Sequence, residues 1–467
     1  MNMEIYKLDQ LKKLIQSTHV NFLFGSGLSK PFLSVLGPIE TLLTKAQDIK
    51  DDFQWKIVES SLFSKYFTSV MEPCSKIDDH LTEDEISKLK VVIGAYSEML
   101  TTWTSIMAKR SSSLLDKTLN IFTTNIDNIL ERVGENLKLE FNDGFRGHLR
   151  PTFHEDSFSK VVSKVSSHYQ NSSQIPIFNY LKIHGSINWK RLPDSEAFIT
   201  YDHDLELISE IKEAIRFAES EHTFIPIDTE IKNCDEGIEN LRKYAEEKIN
   251  SLSDDESKII EEALDRFNDA YFKLIMIHPR KTKFKESVLD MHFYELMRIY
   301  SNTLEVSGTS LFVLGFSFAD EHLAQLTIRA ANSNPTLQIL VFAYDENGKA
   351  DIIENLKRVG VNYNNNIKII SPLDFYNAQD NNMREYLREQ GFVVACSSKD
   401  DKSANDATEP ENMTQVSNAT TKEHSDDNGA KESSDNMQND SKGCPLTVFS
   451  LDNINQYVFK NIERLIF

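Results

Sequence analysis

Four short apolar runs, each stopping abruptly in small or polar residues, constrain this chain more than any other feature. Leu119-Asn120-Ile121-Phe122 stops in Thr123-Thr124-Asn125-Ile126-Asp127-Asn128, and Val20-Asn21-Phe22-Leu23-Phe24 stops in Gly25-Ser26-Gly27-Leu28-Ser29. Tyr180-Leu181-Lys182-Ile183 runs into His184-Gly185-Ser186, and Leu311-Phe312-Val313-Leu314 into Gly315-Phe316-Ser317-Phe318-Ala319-Asp320. Such β-branched and aromatic runs predict buried parallel strands, and open α/β sheets bind ligands at the carboxyl ends of their strands. Four ends of one form predict one ligand site along one edge of one sheet.

Helical patterns separate the runs. Ile5, Leu8, Leu11, Leu14 and Ile15 recur at spacings of three and four, which predicts a short amphipathic helix before the first strand. From residue 39 to about 118 the pattern is again helical, with Thr82-Glu83-Asp84-Glu85 as an N-cap followed by acidic first-turn residues. That stretch is far longer than a crossover needs, so it reads as an insertion covering one side of the site. Residues 205–272 are also helical and strongly acidic, a second insertion or part of a small helical domain split across the chain. Strands resume at Phe272–Ile277, which ends at His278-Pro279-Arg280, and continue at Leu311–Leu314, Leu337–Ala343 and Ile367–Ile370. A helix through Tyr294, Leu296, Met297, Ile299 and Tyr300 precedes the second of these. Alternating strands and helices predict an α/β fold: a doubly wound, mostly parallel, Rossmann-like sheet with two large helical insertions, spanning residues 1–396. Residues 397–443 are polar and lack aromatics, so they cannot bury enough apolar area to offset their ordering entropy and are expected to be a disordered linker. The end, 444–467, is apolar at helical spacing and is expected to dock on the globule or on a partner.

Composition removes several function classes. With 72 acidic against 51 basic residues the net charge is −21, which opposes direct attraction to a nucleic-acid backbone. No run approaches 18 apolar residues and the start lacks a signal-peptide core, so no membrane partner is expected and the cytoplasm is the expected compartment. Cys74, Cys234, Cys396 and Cys444 are too scattered to form a paired zinc or redox motif. The sequons at Asn412 and Asn418 would matter only in a secreted protein.

Each turn taken singly has a structural reading beside the chemical one. Gly25-Ser26-Gly27 suits close approach to a diphosphate, yet strand-to-helix turns need glycine on steric grounds too, and the third glycine of the dinucleotide pattern is missing. Asn125 and Asp127 offer an amide and a carboxylate to a ribose or a carboxamide, yet Asn-x-Asp turns also cap helices. His184, before Gly185, suits a general base, and equally a hydrogen-bonded structural histidine.

Taken together, the motifs G-S-G-L-S (25–29), T-T-N-I-D (123–127), I-H-G-S (183–186) and G-F-S-F-A-D-E-H (315–322) resemble, in order and context, those of the Sir2 superfamily. They are more similar to the Sir2-like NAD-hydrolysing domains of bacterial antiphage defence systems than to the protein deacylases. The resemblance covers roughly residues 18–346, interrupted by the two insertions. It implies that Gly25, Ser26, Gly27 and Ser29 line the NAD diphosphate, that Asn125 holds the nicotinamide ribose and attacking water, and that Asp127 holds the carboxamide. It implies further that His184 is the general base, that Gly315 and Ser317 touch the phosphate or adenosine ribose with Asp320 beside them, and that the region of Asp345 and Asn347 meets the adenosine end.

Departures from the deacylase pattern bear on activity. Thr124 stands where deacylases have Gln, Lys30-Pro31-Phe32 replaces their Gly-Ile-Pro-Asp-Phe-Arg segment, and the paired cysteines of their structural zinc are missing. The reaction that remains is hydrolysis of NAD to nicotinamide and ADP-ribose, with NAD as substrate and no zinc. Its transition state resembles an oxocarbenium ion, so the protein needs only to hold the dinucleotide, stabilise developing positive charge and present water through a base. Asn125 and His184 are the two expected catalytic residues. Unchecked hydrolysis would drain cellular NAD; the resemblance therefore implies abortive infection gated by homo-oligomeric assembly or by a partner such as a HerA-like ATPase. The alternatives are a non-catalytic module that senses NAD or ADP-ribose and, below it, an NAD-dependent protein deacylase.

Overall fold

The computed structural model describes residues 6–34, 38–77, 81–110, 114–167, 171–192, 195–227, 233–279, 291–359, 366–394 and 446–466. The linker expected at 397–443, both sequons, Arg280, Cys396 and Cys444 lie outside the described residues.

Seven strands form the central sheet: β1 (His19–Phe24), β2 (Thr118–Thr123), β3 (Phe141–Asn142), β4 (Ile177–Lys182), β5 (Thr309–Leu314), β6 (Gln338–Phe342) and β7 (Ile367–Ile370). Their order is β7-β6-β5-β1-β2-β4-β3, and every pair is parallel. The chain works outward from β1 in one direction, then returns to lay β5 on the other side of β1. That reversal makes the β1/β5 junction the switch point of a doubly wound, Rossmann-like α/β fold. The sheet is parallel throughout, where mostly parallel was expected.

Both faces are covered, which is why the strands read as almost continuous apolar runs. Because side chains alternate along a strand, Phe22, Phe24, Ile121, Tyr180, Phe312 and Leu314 enter one core cluster while Leu23, Phe122, Leu181, Leu311 and Val313 enter the other. Helix Glu83–Ala108 supplies Tyr96, Met99 and Trp103 to the first; helices Met291–Glu305 and Glu321–Ser333 supply Leu296, Tyr300 and Leu323 to the second. The start of Glu83–Ala108 is held by the expected cap, a reciprocal pair in which Thr82 accepts from the Glu85 amide and Glu85 from the Thr82 amide. Such caps are worth about 1 kcal/mol.

One polar row crosses this apolar sheet. Asn120 Nδ2 donates to Asn21 Oδ1 at 2.8 Å, Asn179 Nδ2 to Asn120 Oδ1 at 2.9 Å, and Asn142 Nδ2 to Asn179 Oδ1 at 2.8 Å. These four residues sit opposite one another in the registers of β1, β2, β4 and β3. A slip of one residue would bury the amides among hydrocarbon, so the row specifies register.

The two insertions pack on each other. Ring centroids of Phe63 and Tyr271 stack at 4.7 Å, Ser60 Oγ meets Asn268 Oδ1 at 3.1 Å, and the Ile225 amide donates to Ser61 Oγ at 3.0 Å. Helices Asp52–Tyr66, Cys234–Ser251 and Asp254–Tyr271 thus form one helical body from two distant segments. Residues 446–466 dock on the globule: Phe459 lies in the aromatic cluster of Phe22, Trp103 and Phe312, and Asn455 Nδ2 donates to the Ala95 carbonyl at 2.8 Å.

One expected strand is absent from the sheet. Phe272 caps the helix that ends at Tyr271, and the run that follows makes only an isolated antiparallel bridge, Met276 opposite Gly185. Its polar backbone groups are used on the turn after β4: Ser186 N donates to Ile275 O at 3.2 Å and Ile277 N to His184 O at 3.0 Å. A short, mostly apolar run satisfies a strand pattern and a buried crossing equally, and here the crossing holds the His184 turn in place.

Candidate functional site

All four sequence-predicted turns leave the same edge of the sheet. After β1 the chain makes a tight turn over Ser26–Ser29. The amide of Gly25 donates to Leu314 O and that of Gly27 to Gly315 O, each at 3.0 Å, so the loops after β1 and β5 touch at the switch point. A Cβ at Gly25 would stand 2.4 Å from Gly315 O, and one at Gly315, where φ is +63°, would stand 2.7 Å from the Leu28 amide. These glycines therefore serve the steric role, and the Gly27 amide is spent on protein rather than left for an anion. Ser26 and Gly315 are half-buried, while Gly27 and Ser317 are exposed.

The β2 turn carries Asn125 and Asp127 inward. Asn125 N donates to Thr123 Oγ1 at 3.0 Å. The Asp127 carboxylate is engaged at both oxygens, by Ser29 Oγ at 2.8 Å and by the Ile129 amide at 3.1 Å, the latter at the start of helix Ile129–Asn136. The structure therefore gives Asp127 protein partners where the resemblance implied a carboxamide. Ser29, whose proton goes to Asp127, accepts from Asn125 Nδ2 at 3.3 Å. The direction of the whole row follows from the carboxylate: it can only accept, so Ser29 donates, so Asn125 turns its NH2 inward. Asn125 Oδ1 is buried and has no hydrogen-bond partner. Tyr96, from the first insertion, is buried; burial, with Asp127 nearby, pushes its pKa far above the ordinary value.

His184 belongs to a second group. Its Nε2 lies 3.2 Å from Asp320 Oδ2, both side chains being 13% exposed. Asp320 Oδ1 also accepts from the amides of His322 and Leu323, capping helix Glu321–Ser333. Since β4 and β5 are separated in the sheet by β2 and β1, the His184–Asp320 pair reaches across the ends of both intervening strands. His322 completes the group; burial lowers its pKa, Asp320 raises it, and His184 lowers it, with a net fall. No hydrogen bond joins the side chains of Asn125 and His184. Their loops are tied instead through backbone, by Ile183 N to Thr123 O at 2.9 Å and Ile187 N to Ile126 O at 3.1 Å.

Asp345 caps helix Glu346–Arg358 by accepting from the Gly348 amide at 2.7 Å. A cleft of about 740 Å3 is lined by Lys190, Lys273, Met276 and Phe293 among others, and none of the sequence-predicted site residues borders it. No cluster of three or more His, Cys, Asp or Glu side chains among the described residues is placed to hold a metal ion.

Two residues of the edge escaped the reading of the motifs. Lys182, buried in β4, bonds the Asp127 carbonyl, Ser186 Oγ at 2.6 Å and Glu131 Oε1 at 2.8 Å, and so ties the β2 and β4 turns together. Burial raises the Glu131 pKa, and Lys182 partly offsets that. A lone lysine inside an apolar strand was a signal available in the sequence. Tyr96 carried none, because nothing in a helical insertion says which of its aromatics reaches the sheet edge. Compared with known proteins, the sequence matches no family model and no curated protein.

Proposed function

We propose that this chain hydrolyses NAD at the nicotinamide–ribose bond, and the observation that supports this best is the unpartnered Asn125 Oδ1 at the carboxyl edge beside the switch point. A buried acceptor without a donor costs about 1–3 kcal/mol, and a ribose hydroxyl or a water supplies the missing donor. In the proposed reaction the bond from ribose C1′ to the nicotinamide nitrogen breaks and its electron pair leaves with the ring, neutralising the pyridinium. Water oxygen bonds to C1′ and its proton passes to His184. Asp320 accepts from Nε2–H, which leaves Nδ1 as the basic nitrogen and offers a carboxylate to the imidazolium that forms. Ser26, Gly315 and Ser317, at the loop junction, are assigned to the dinucleotide backbone, and Asp127 and Ser29 to orienting Asn125. Assembly of several copies or a defence partner such as a HerA-like ATPase would supply the gate that such an activity requires, and antiphage abortive infection is the proposed setting.

A second reading, a module that binds NAD or ADP-ribose without cleaving it, draws on the engaged Gly27 amide and on the different partners of Asn125 and His184, which share no hydrogen bond. Release of nicotinamide from NAD by the purified full-length protein, followed by chromatography, separates the two. Hydrolysis by the wild type, reduced roughly 10²-fold or more in His184→Ala and abolished in Asn125→Ala, supports the proposal. Intact NAD after prolonged incubation, or full activity in both variants, refutes it.

A further inference from the structure

The ladder between β2 and β4 ends with Thr123 opposite Lys182. Beyond that pair the two segments part, one into the turn that carries Asn125 and the other into the turn that carries His184. The proposed chemistry needs a group held by Asn125 and a base at His184 to stay aligned, so whatever fixes one turn against the other belongs to the site.

Lys182 is placed to do this. Its side chain is 3% exposed, and its ammonium group meets acceptors from three segments: the Asp127 carbonyl in the first turn, Ser186 Oγ at 2.6 Å in the second, and Glu131 Oε1 at 2.8 Å in helix Ile129–Asn136. An ammonium carries three protons and no lone pair, so each proton has an acceptor and every bond runs outward from the lysine. Ser186, accepting from Lys182, has its own proton for Asn188 Oδ1 at 2.6 Å or the Ile126 carbonyl at 3.2 Å. Glu131 supplies the countercharge that a buried ammonium needs. A buried ion pair is often no more stabilising than apolar side chains of similar volume, so stability alone does not account for the lysine.

We propose that Lys182 is a positioning residue: it holds the Asn125 turn and the His184 turn in fixed relative placement, with Ser186 as its grip on the second turn and Glu131 as the partner that makes its burial tolerable. Its part in catalysis rests on the reading of the site given under Proposed function. Among the described residues Lys182 bonds to neither the β1 loop nor the β5 loop, to which the dinucleotide backbone is assigned. Lys182→Met is therefore expected to lower kcat at least about tenfold while KM changes less than about threefold. The same change strands the Glu131 carboxylate and lowers stability for that separate reason. Adding Glu131→Gln removes the stranded charge, so the urea midpoint is expected to recover and kcat is not. Ser186→Ala leaves the lysine and its ion pair in place and is expected to lower kcat about threefold or more, yet to add less than about twofold on top of Lys182→Met, a background that keeps Asn125 and His184 and so retains turnover.

The experiment compares wild type, Lys182→Met, Lys182→Met with Glu131→Gln, Ser186→Ala, and Lys182→Met with Ser186→Ala, all as full-length chains. Three quantities are read: initial rates of nicotinamide release across NAD concentrations, urea midpoints, and amide hydrogen exchange without NAD. In Lys182→Met with Glu131→Gln, exchange is expected to rise about tenfold across 123–129 and 183–188 and to stay unchanged across 25–29 and 315–322. A kcat that stays low while the midpoint recovers, with that local pattern of exchange, supports the inference. A kcat that recovers together with the midpoint, wild-type kcat in Ser186→Ala, or exchange that is unchanged or rises evenly across the sheet edge overturns it. Where the wild type releases no nicotinamide, hydrolysis fails as the function, and the exchange pattern alone decides whether Lys182 holds the two turns.

Discussion

Replacing Asn120 by Leu tests whether the asparagine row holds the sheet in register. Leu shares the branched outline of Asn and is bulkier, so the change removes hydrogen bonds without opening a cavity, at the cost of some crowding. Two are lost, the 2.8 Å bond to Asn21 Oδ1 and the 2.9 Å bond from Asn179 Nδ2. Asn179 keeps a second acceptor, the Phe158 carbonyl at 3.0 Å, but Asn21 Oδ1, on a residue 1% exposed, is left without its donor. Two bonds at a net ~0.5–1.5 kcal/mol each, with ~1–3 kcal/mol for the orphaned acceptor, give a cost of about 2–6 kcal/mol. Against a typical total of about 5–15 kcal/mol that is a large fraction, readable as a shift of the urea midpoint at unchanged slope. The pairwise origin of the cost is tested by adding Asn21→Leu, which removes the orphan: the double variant should lose less than the sum of the singles by about 1 kcal/mol or more. A cost for Asn120→Leu below about 1 kcal/mol, or additivity within about 0.5 kcal/mol, would refute the reasoning.

Two further outcomes follow from other contacts. Gly25→Ala places a methyl 2.4 Å from a backbone carbonyl and is expected to cost roughly 1–3 kcal/mol, whereas Gly94→Ala on the exposed side of helix Glu83–Ala108, with nothing within 4 Å, should gain about 0.5–1 kcal/mol; equal effects in denaturant titrations would contradict the close approach of the two loops. Burial holds the His322 pKa below its ordinary 6.5, so the fold favours the neutral ring. The stability this contributes is complete above pH 6.5 and lost as pH falls through the lower folded value. Melting temperature should therefore drop less between pH 7 and 5 in His322→Gln than in the wild type, and parallel curves would remove His322 from the account.

Much of the architecture was legible because strands announce themselves locally. The runs at Val20–Phe24, Leu119–Phe122, Tyr180–Ile183 and Leu311–Leu314 all became neighbouring sheet strands, with boundaries moved by one to three residues, and Thr82 caps its helix as expected. Residues 272–277 misled for the same local reason: a short, mostly apolar run carries no statement of direction or partner. The sequence by itself determined where six of the seven sheet strands would lie and that their ends would gather, while Phe141–Asn142 read as a loop, since periodicity and turn chemistry act over a few residues and a two-residue strand carries neither. Only the tertiary structure decided that Gly25 faces Gly315, that His184 reaches Asp320 over two intervening strands, and that Tyr96 from an inserted helix packs on Phe24 of the first strand. Those meetings depend on strand order and on how a helix is rotated against a sheet, and both are set by the packing of the whole core, which no short window of residues contains.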